Sequence, residues 1–180
     1  LVIDGLPSAS NEAHLEGLPI QMSVVDIHVI GAGGGARAVV HALVEAGAAE
    51  IRLVNRTAGR AEKLAEDLGG PIQIIPWEKR ADALAGAATV VNTTSLGMVG
   101  QPPLELDLDA LDPTAVAADI VYTPLKTDFL KAAESRGNRV VGGLGMLLHQ
   151  GPPAWKLWFG LEPTVTEELR EMIEDSILNG

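Results

Sequence analysis

The sequence predicts an α/β fold, doubly wound, with a mainly parallel six-stranded sheet, helices on both faces and a helical extension at the carboxyl end. Three observations predict it. From Asp26 onward, short apolar runs alternate with amphipathic segments, the pattern of a parallel sheet covered on both faces. Six runs have strand character: Ile27 to Ile30, Ile51 to Val54, Ile72 to Ile75, Thr89 to Asn92, Val116 to Val121 and Arg139 to Val141. The first of them passes through the glycine-rich turn Gly31-Ala32-Gly33-Gly34-Gly35-Ala36 into an amphipathic segment, which is the strand, turn and helix order of a Rossmann-type domain.

The elements follow in order. Leu1 to Asp26 has no clean helix or strand period and is punctuated by Pro7, Ser8, Ser10, Asn11, Gly17 and Pro19. Residues 1–26 therefore read as a lead-in or linker. Over Gly35 to Ala46, Arg37, His41 and Glu45 recur every fourth residue, with Ala38, Val39, Ala42 and Leu43 as the apolar stripe, so a helix is expected. Arg60 to Leu68 predicts a second helix, stopped by Gly69-Gly70-Pro71. The stretch from Met98 to Pro113 is expected to be a long loop. Near the end, Thr164-Val165-Thr166-Glu167 matches a capping box, and Val165, Leu169, Met172, Ile173 and Ile177 mark one helical face that needs cover. The reading divides the chain into the lead-in, a nucleotide-binding domain over 27–151 and a helical segment over 152–180.

Composition excludes several function classes. The 180 residues carry 24 Asp plus Glu against 13 Lys plus Arg, a formal net charge of -11, which disfavours nucleic acid and anionic membranes as partners. An apolar content of 47% supports a large core and argues against disorder. With no cysteine, disulfides, thiolate metal sites and cysteine nucleophiles are out. His14, His28, His41 and His149 are scattered, so no metal site is expected. No apolar run approaches the ~20 residues of a membrane helix, and a soluble protein is expected.

Chemistry concentrates where strands end. Residues Gly31, Ala32, Gly33, Gly34 and Gly35 form a turn that lets a pyrophosphate approach the backbone. The N–H groups and the ~+0.5 charge of the following helix favour the anion there. The second run ends in Asn55-Arg56-Thr57-Ala58-Gly59-Arg60. A carboxylate at this point would take an adenosine 2′-hydroxyl, whereas guanidinium and hydroxyl donors suit a 2′-phosphate. NADP is thus preferred over NAD, although Arg56 and Arg60 taken alone also read as solvated surface charges. Asn92-Thr93-Thr94-Ser95-Leu96-Gly97-Met98 reads equally as a ligand edge or a hydroxyl-stabilised turn. Singly, Tyr122, Met146 and His149 read as packing or surface residues.

Together these motifs resemble the shikimate dehydrogenase family, in particular its NADP-binding domain. The resemblance rests on Gly-Ala-Gly-Gly at 31–34, Asn-Arg-Thr at 55–57, Asn-Thr-Thr-Ser-Leu-Gly-Met at 92–98, Tyr122-x-Pro124-x-x-Thr127 and Gly143-Leu144-Gly145-Met146-Leu147-x-x-Gln150. It covers roughly Ile27 to Gly180. It implies reversible hydride transfer between NADPH and 3-dehydroshikimate, giving shikimate on the route to chorismate and aromatic amino acids. It further implies that Ile120 and Gly143 border the nicotinamide half and that Tyr122 and Gln150 contact the substrate. The lysine assigned to proton transfer belongs to an amino-terminal substrate domain for which there is little room before Asp26. No catalytic residue is therefore assigned, and the chain is expected to be a fragment of weak or no activity alone. The family's Asn-Thr-Asp-Gly has its nearest match in Val2-Ile3-Asp4-Gly5, which reads more readily as an Asp-Gly turn. Alternatives are a quinate/shikimate dehydrogenase paralogue and a non-catalytic NADP-binding module. A small-molecule substrate, a cytoplasmic location and a homodimer as the assembly to test complete the expectations.

Overall fold

A computed structural model describes residues 26–179. The expectations for the lead-in and for Asp4 lie outside the described residues. Six strands, β1 (Asp26–Ile30), β2 (Glu50–Val54), β3 (Ile72–Ile75), β4 (Thr89–Asn92), β5 (Val116–Asp119) and β6 (Arg139–Val141), form one sheet in the order β3-β2-β1-β4-β5-β6. Every pairing is parallel, so the sheet is wholly rather than mainly parallel. The chain reverses direction across the sheet between β1 and β4, and the carboxyl ends of those strands open a crevice.

Strand alternation sends successive side chains to opposite faces. On one face Ile27, Val29, Ile51, Leu53 and Val91 pack under α1 (Gly34–Glu45) and α2 (Ala58–Leu68) through Val39, Val40, Leu43, Ala61 and Leu64. The buried stripe of α1 is Ala36, Val39, Val40 and Leu43; Ala38 is exposed. The expected stripe was thus partly out of phase, because alanine's small size makes it a weak marker of the buried side.

On the other face Ile30, Val54, Val90 and Ala117 meet α3 (Asp128–Ser135) through Phe129, Leu130 and Ala133. Much of that cover has no helix. Between β4 and β5 the chain forms the expected loop, and Leu104, Leu108 and Leu111 from it are buried against the sheet. Three leucines do there what a crossover helix does elsewhere.

Strand β5 stops at Asp119, two residues before the expected end. The Asp119 carboxylate accepts the Val121 N–H at 2.9 Å, which turns the chain out of the ladder. Beyond β6 lie α4 (Leu144–His149), α5 (Gly151–Phe159) and α6 (Glu167–Asn179). The capping residue of α6 is Thr166, whose hydroxyl accepts from Leu169 N–H at 3.2 Å, not Thr164 as the box pattern predicted. A threonine two residues nearer the first turn reaches the free N–H groups better. Neither α5 nor α6 has a buried residue. Trp155, Leu157, Trp158 and Phe159 of α5 and Met172 of α6 are exposed, so the predicted apolar stripe of α6 is only half covered among the described residues.

Candidate functional site: a dinucleotide crevice

The crevice is built from the ends of four adjacent strands. Gly31, Ala32 and Gly33 after β1, Asn55, Arg56, Thr57 and Arg60 after β2, Trp77 after β3, and Thr93, Thr94, Ser95 and Leu96 after β4 line a cleft of about 340 Å³. The lining contains no carboxylate.

The glycines of the turn have different tasks. Gly31 has φ +114°, and a Cβ there would lie 2.6 Å from Thr93 Oγ1, so only glycine permits the β1 end to close on β4. Around Gly33 and Gly34 a Cβ would meet nothing within 4 Å. That side of the turn is an open cradle, and α1 begins behind it with no acidic residue in its first turn. Such a cradle fits a pyrophosphate. Gly35 was expected to join it, but it faces the sheet instead: a Cβ would come within 2.5 Å of Ile120 Cδ1. It allows close helix-sheet contact beside Ala36, which is itself fully buried.

At the end of β2, Asn55 Nδ2 donates to Thr57 O at 2.8 Å, which shapes the entry into α2. Thr57 occupies the N-cap position without a side-chain cap bond, leaving its hydroxyl free to face the cleft. Arg56 and Arg60 are exposed, and among the described residues neither has an ion-pair partner. Their neighbours Arg37 and Lys63 share Asp67. Unpaired guanidinium groups beside two free helix starts are chemically suited to an anion, a doubly charged phosphate group above all.

Sequence reasoning missed Trp77 and Asp119. Trp77 sits within the cleft lining, with the Arg80 guanidinium 4.6 Å above its ring; a lone tryptophan after a strand gives no signal of this. Asp119 is 2% exposed. Its Oδ1 accepts from Asn92 Nδ2 at 3.1 Å and from Val121 N–H, and its Oδ2 accepts from Thr127 Oγ1 at 2.8 Å. Burial pushes its carboxyl up to about 6, and the hydrogen bonds from Val121, Asn92 and Thr127 only partly oppose that.

A second, more apolar cleft of about 340 Å³ adjoins the first, lined by Thr93, Thr94, Ser95, Met98, Ile120, Val121, Tyr122, Thr123 and Met146. Gly143 lies against its floor, since a Cβ there would be 2.2 Å from Ile120 O. Tyr122 is thus brought to the cleft and Gln150 is not among its lining residues; Gln150 is exposed at the junction of α4 and α5. Among the described residues no group of three His, Asp or Glu side chains is placed to hold a metal ion.

The sheet order, the glycine cradle at the β1 end and the adjoining clefts define a dinucleotide-binding domain of the Rossmann class. The family described as Shikimate / quinate 5-dehydrogenase matches residues 15–98. A shikimate dehydrogenase (NADP(+)) of Paramagnetospirillum magneticum is 57% identical over 145 residues, 81% of this chain and 52% of that protein. Among solved structures, a quinate dehydrogenase from Corynebacterium glutamicum in complex with NAD superposes with a TM-score of 0.78 at 31% identity, over 84% of this chain and 55% of that one. A shikimate 5-dehydrogenase from Thermus thermophilus in complex with NADP(H) and shikimate gives 0.69 at 38% identity, over 84% and 54%. The chain belongs to the shikimate dehydrogenase family. It spans about half the length of the curated relatives it matches.

Proposed function

We propose that this chain forms the NADP(H)-binding portion of a shikimate dehydrogenase, an oxidoreductase that interconverts 3-dehydroshikimate and shikimate. The observation that carries the reading is the pair Arg56 and Arg60, unpaired at the end of β2 in a cleft without carboxylates. When bound, the cofactor supplies the hydride. The protein's own residues bind and orient: Gly31, Ala32, Gly33 and Gly34 take the pyrophosphate, and Asn55, Arg56, Thr57 and Arg60 take the 2′-phosphate. Ile120 and Gly143 border the nicotinamide, with Gly35 behind Ile120. Tyr122 and Gln150 supply hydrogen bonds to the substrate's hydroxyl groups.

In this reading residues 27–151 are the cofactor domain, and 152–180 pack toward the substrate domain, a role supported by the exposed Trp155, Leu157, Trp158 and Phe159. The reading carries with it a small-molecule substrate, a cytoplasmic location and a homodimer, the last checked by sedimentation. None of the described helices is long and apolar enough to cross a membrane.

Titration of the chain with NADP+ and NAD+ tests the cofactor assignment. Arg56→Ala is expected to weaken NADP+ binding by about one to two decades, the loss of one charge-assisted contact, and to leave NAD+ nearly unchanged. Equal losses for both dinucleotides would overturn the assignment. A quinate dehydrogenase is the second reading, favoured by the 0.78 TM-score to an NAD-bound member of that class. Comparing shikimate- and quinate-dependent NADP+ reduction by this chain and by a version extended at its amino terminus separates the two, and tests whether the extension brings activity.

A further inference from the structure

We propose that Asp119 is a positioning residue that ties the two clefts together, so that a ligand filling both is held better than its halves. The proposal rests on the NADP reading. Asp119 ends β5 as a buried carboxylate with no cation bonded to it, and its donors are Asn92 of β4 at 3.1 Å, the Val121 N–H two residues further along its own chain at 2.9 Å, and the Thr127 hydroxyl at the start of α3 at 2.8 Å. A buried carboxylate is costly unless its oxygens are satisfied. Here both oxygens are satisfied, and the bonds lead to the walls of the site.

Through Asn92 the link reaches the first cleft. Asn92 Oδ1 accepts from the Thr94 N–H at 3.1 Å and the Thr94 hydroxyl at 2.7 Å, and its Nδ2 also donates to Leu96 O at 3.0 Å. Thr94 and Leu96 line the cleft that holds Arg56 and Arg60. Through Val121 the link reaches the second cleft, where Val121 and Tyr122 face Thr93, Thr94 and Ser95. One side chain therefore joins the 93–96 segment, whose Thr93, Thr94 and Ser95 are common to both clefts, to the 120–123 segment, which belongs to the second alone. Removing Asp119 leaves Asn92 bonded to Thr94 and Leu96, so the first cleft keeps its wall. The 120–123 segment loses this side-chain tie and keeps only backbone bonds, Ile120 N–H to Asn92 O at 3.0 Å and Gly143 N–H to Val121 O at 3.1 Å among them.

The test compares 2′,5′-ADP, which fills only the first cleft, with NADP+, which needs both. Asp119→Ala is expected to weaken NADP+ about tenfold and 2′,5′-ADP by about twofold or less. Asp119→Asn keeps an acceptor for Asn92 and Val121 and donates to Thr127, and is expected to restore both affinities. Thr127→Val, which removes one donor at constant volume, should show the same selective loss at about threefold, and it decides the matter if the alanine variant fails to fold. Wild-type affinities that keep their ratio in the variants would overturn the coupling alone. A wild-type chain that binds neither ligand would overturn the cofactor reading and the coupling with it.

Discussion

His28 and Asp119 are buried titratable side chains on the same sheet, and burial moves them so that their effects on stability oppose each other. His28 is fully buried on β1, both ring nitrogens lack partners, and burial first, with Arg52 second, lowers it from 6.5 to about 4. The folded protein keeps it neutral, so its contribution is complete above pH 6.5 and is lost as pH falls through about 4. Asp119 runs the other way. Its carboxyl rises from 3.8 to about 6, so its contribution is complete below 3.8 and is lost as pH rises through about 6. Each shift corresponds to about 3 kcal/mol, and in the wild type the two largely cancel. Urea unfolding of single variants should expose them. Relative to wild type, Asp119→Asn is expected to gain about 3 kcal/mol as pH rises across the Asp119 window, and His28→Leu to lose about as much across the histidine window. Variant profiles parallel to the wild type would refute this. His28→Leu should also be ~1 kcal/mol more stable near neutrality, since it removes two unsatisfied polar atoms.

At the scale of elements, close approach between backbone segments decides which glycines are structural and which are chemical. A Cβ on Gly143 would sit 2.2 Å from Ile120 O and 2.6 Å from Val121 O. Backbone cannot yield cheaply, so Gly143→Ala is expected to destabilise by about 3 kcal/mol or more, visible as a lowered Tm. Gly33 has φ −96° and open space around its Cβ position. Gly33→Ala should therefore leave Tm within about one or two degrees, while its methyl group enters the cradle and weakens NADP+ about tenfold. A Gly33→Ala variant that binds as tightly as wild type would remove that turn from the proposed site. From the sequence the four glycines of the turn read alike, because a fingerprint records residue type and not which side of the turn faces a neighbouring strand. The cap of α6 shows a similar limit: Thr164 and Thr166 both satisfy local chemistry, and the path of the chain into the helix selects between them.

For the whole molecule, the net charge of -11 stands against a ligand that is itself an anion. Local arrangement overcomes this: Arg37, Arg60 and Lys63 line a groove beside the turn together with Gly33 and Gly34, and Arg56 lies across the main cleft. Exposed charges are screened within roughly 8 Å at physiological salt. Raising ionic strength from about 0.05 M to about 0.5 M is therefore expected to weaken NADP+ binding several-fold more than NAD+ binding. Parallel salt dependence in the two titrations would show that the guanidinium groups do not meet the 2′-phosphate. The exposed tryptophan and leucine side chains of α5 belong to this scale as well, since no neighbour among the described residues covers them.

Periodicity and turn chemistry were enough to read the doubly wound sheet, the glycine-rich turn and the basic end of β2, because each is written in residues adjacent along the chain. Apolar alternation, glycine without a Cβ and arginine without a nearby carboxylate act over a few residues, and a linear reading detects them. The Asp119 network, the burial of His28 and the position of Trp77 were decided only by the tertiary structure. Their partners lie up to 27 residues away along the chain, the separation of Asn92 and Asp119. A carboxylate acquires its role from desolvation and from donors that other strands bring to it, and neither is expressed in its own neighbours.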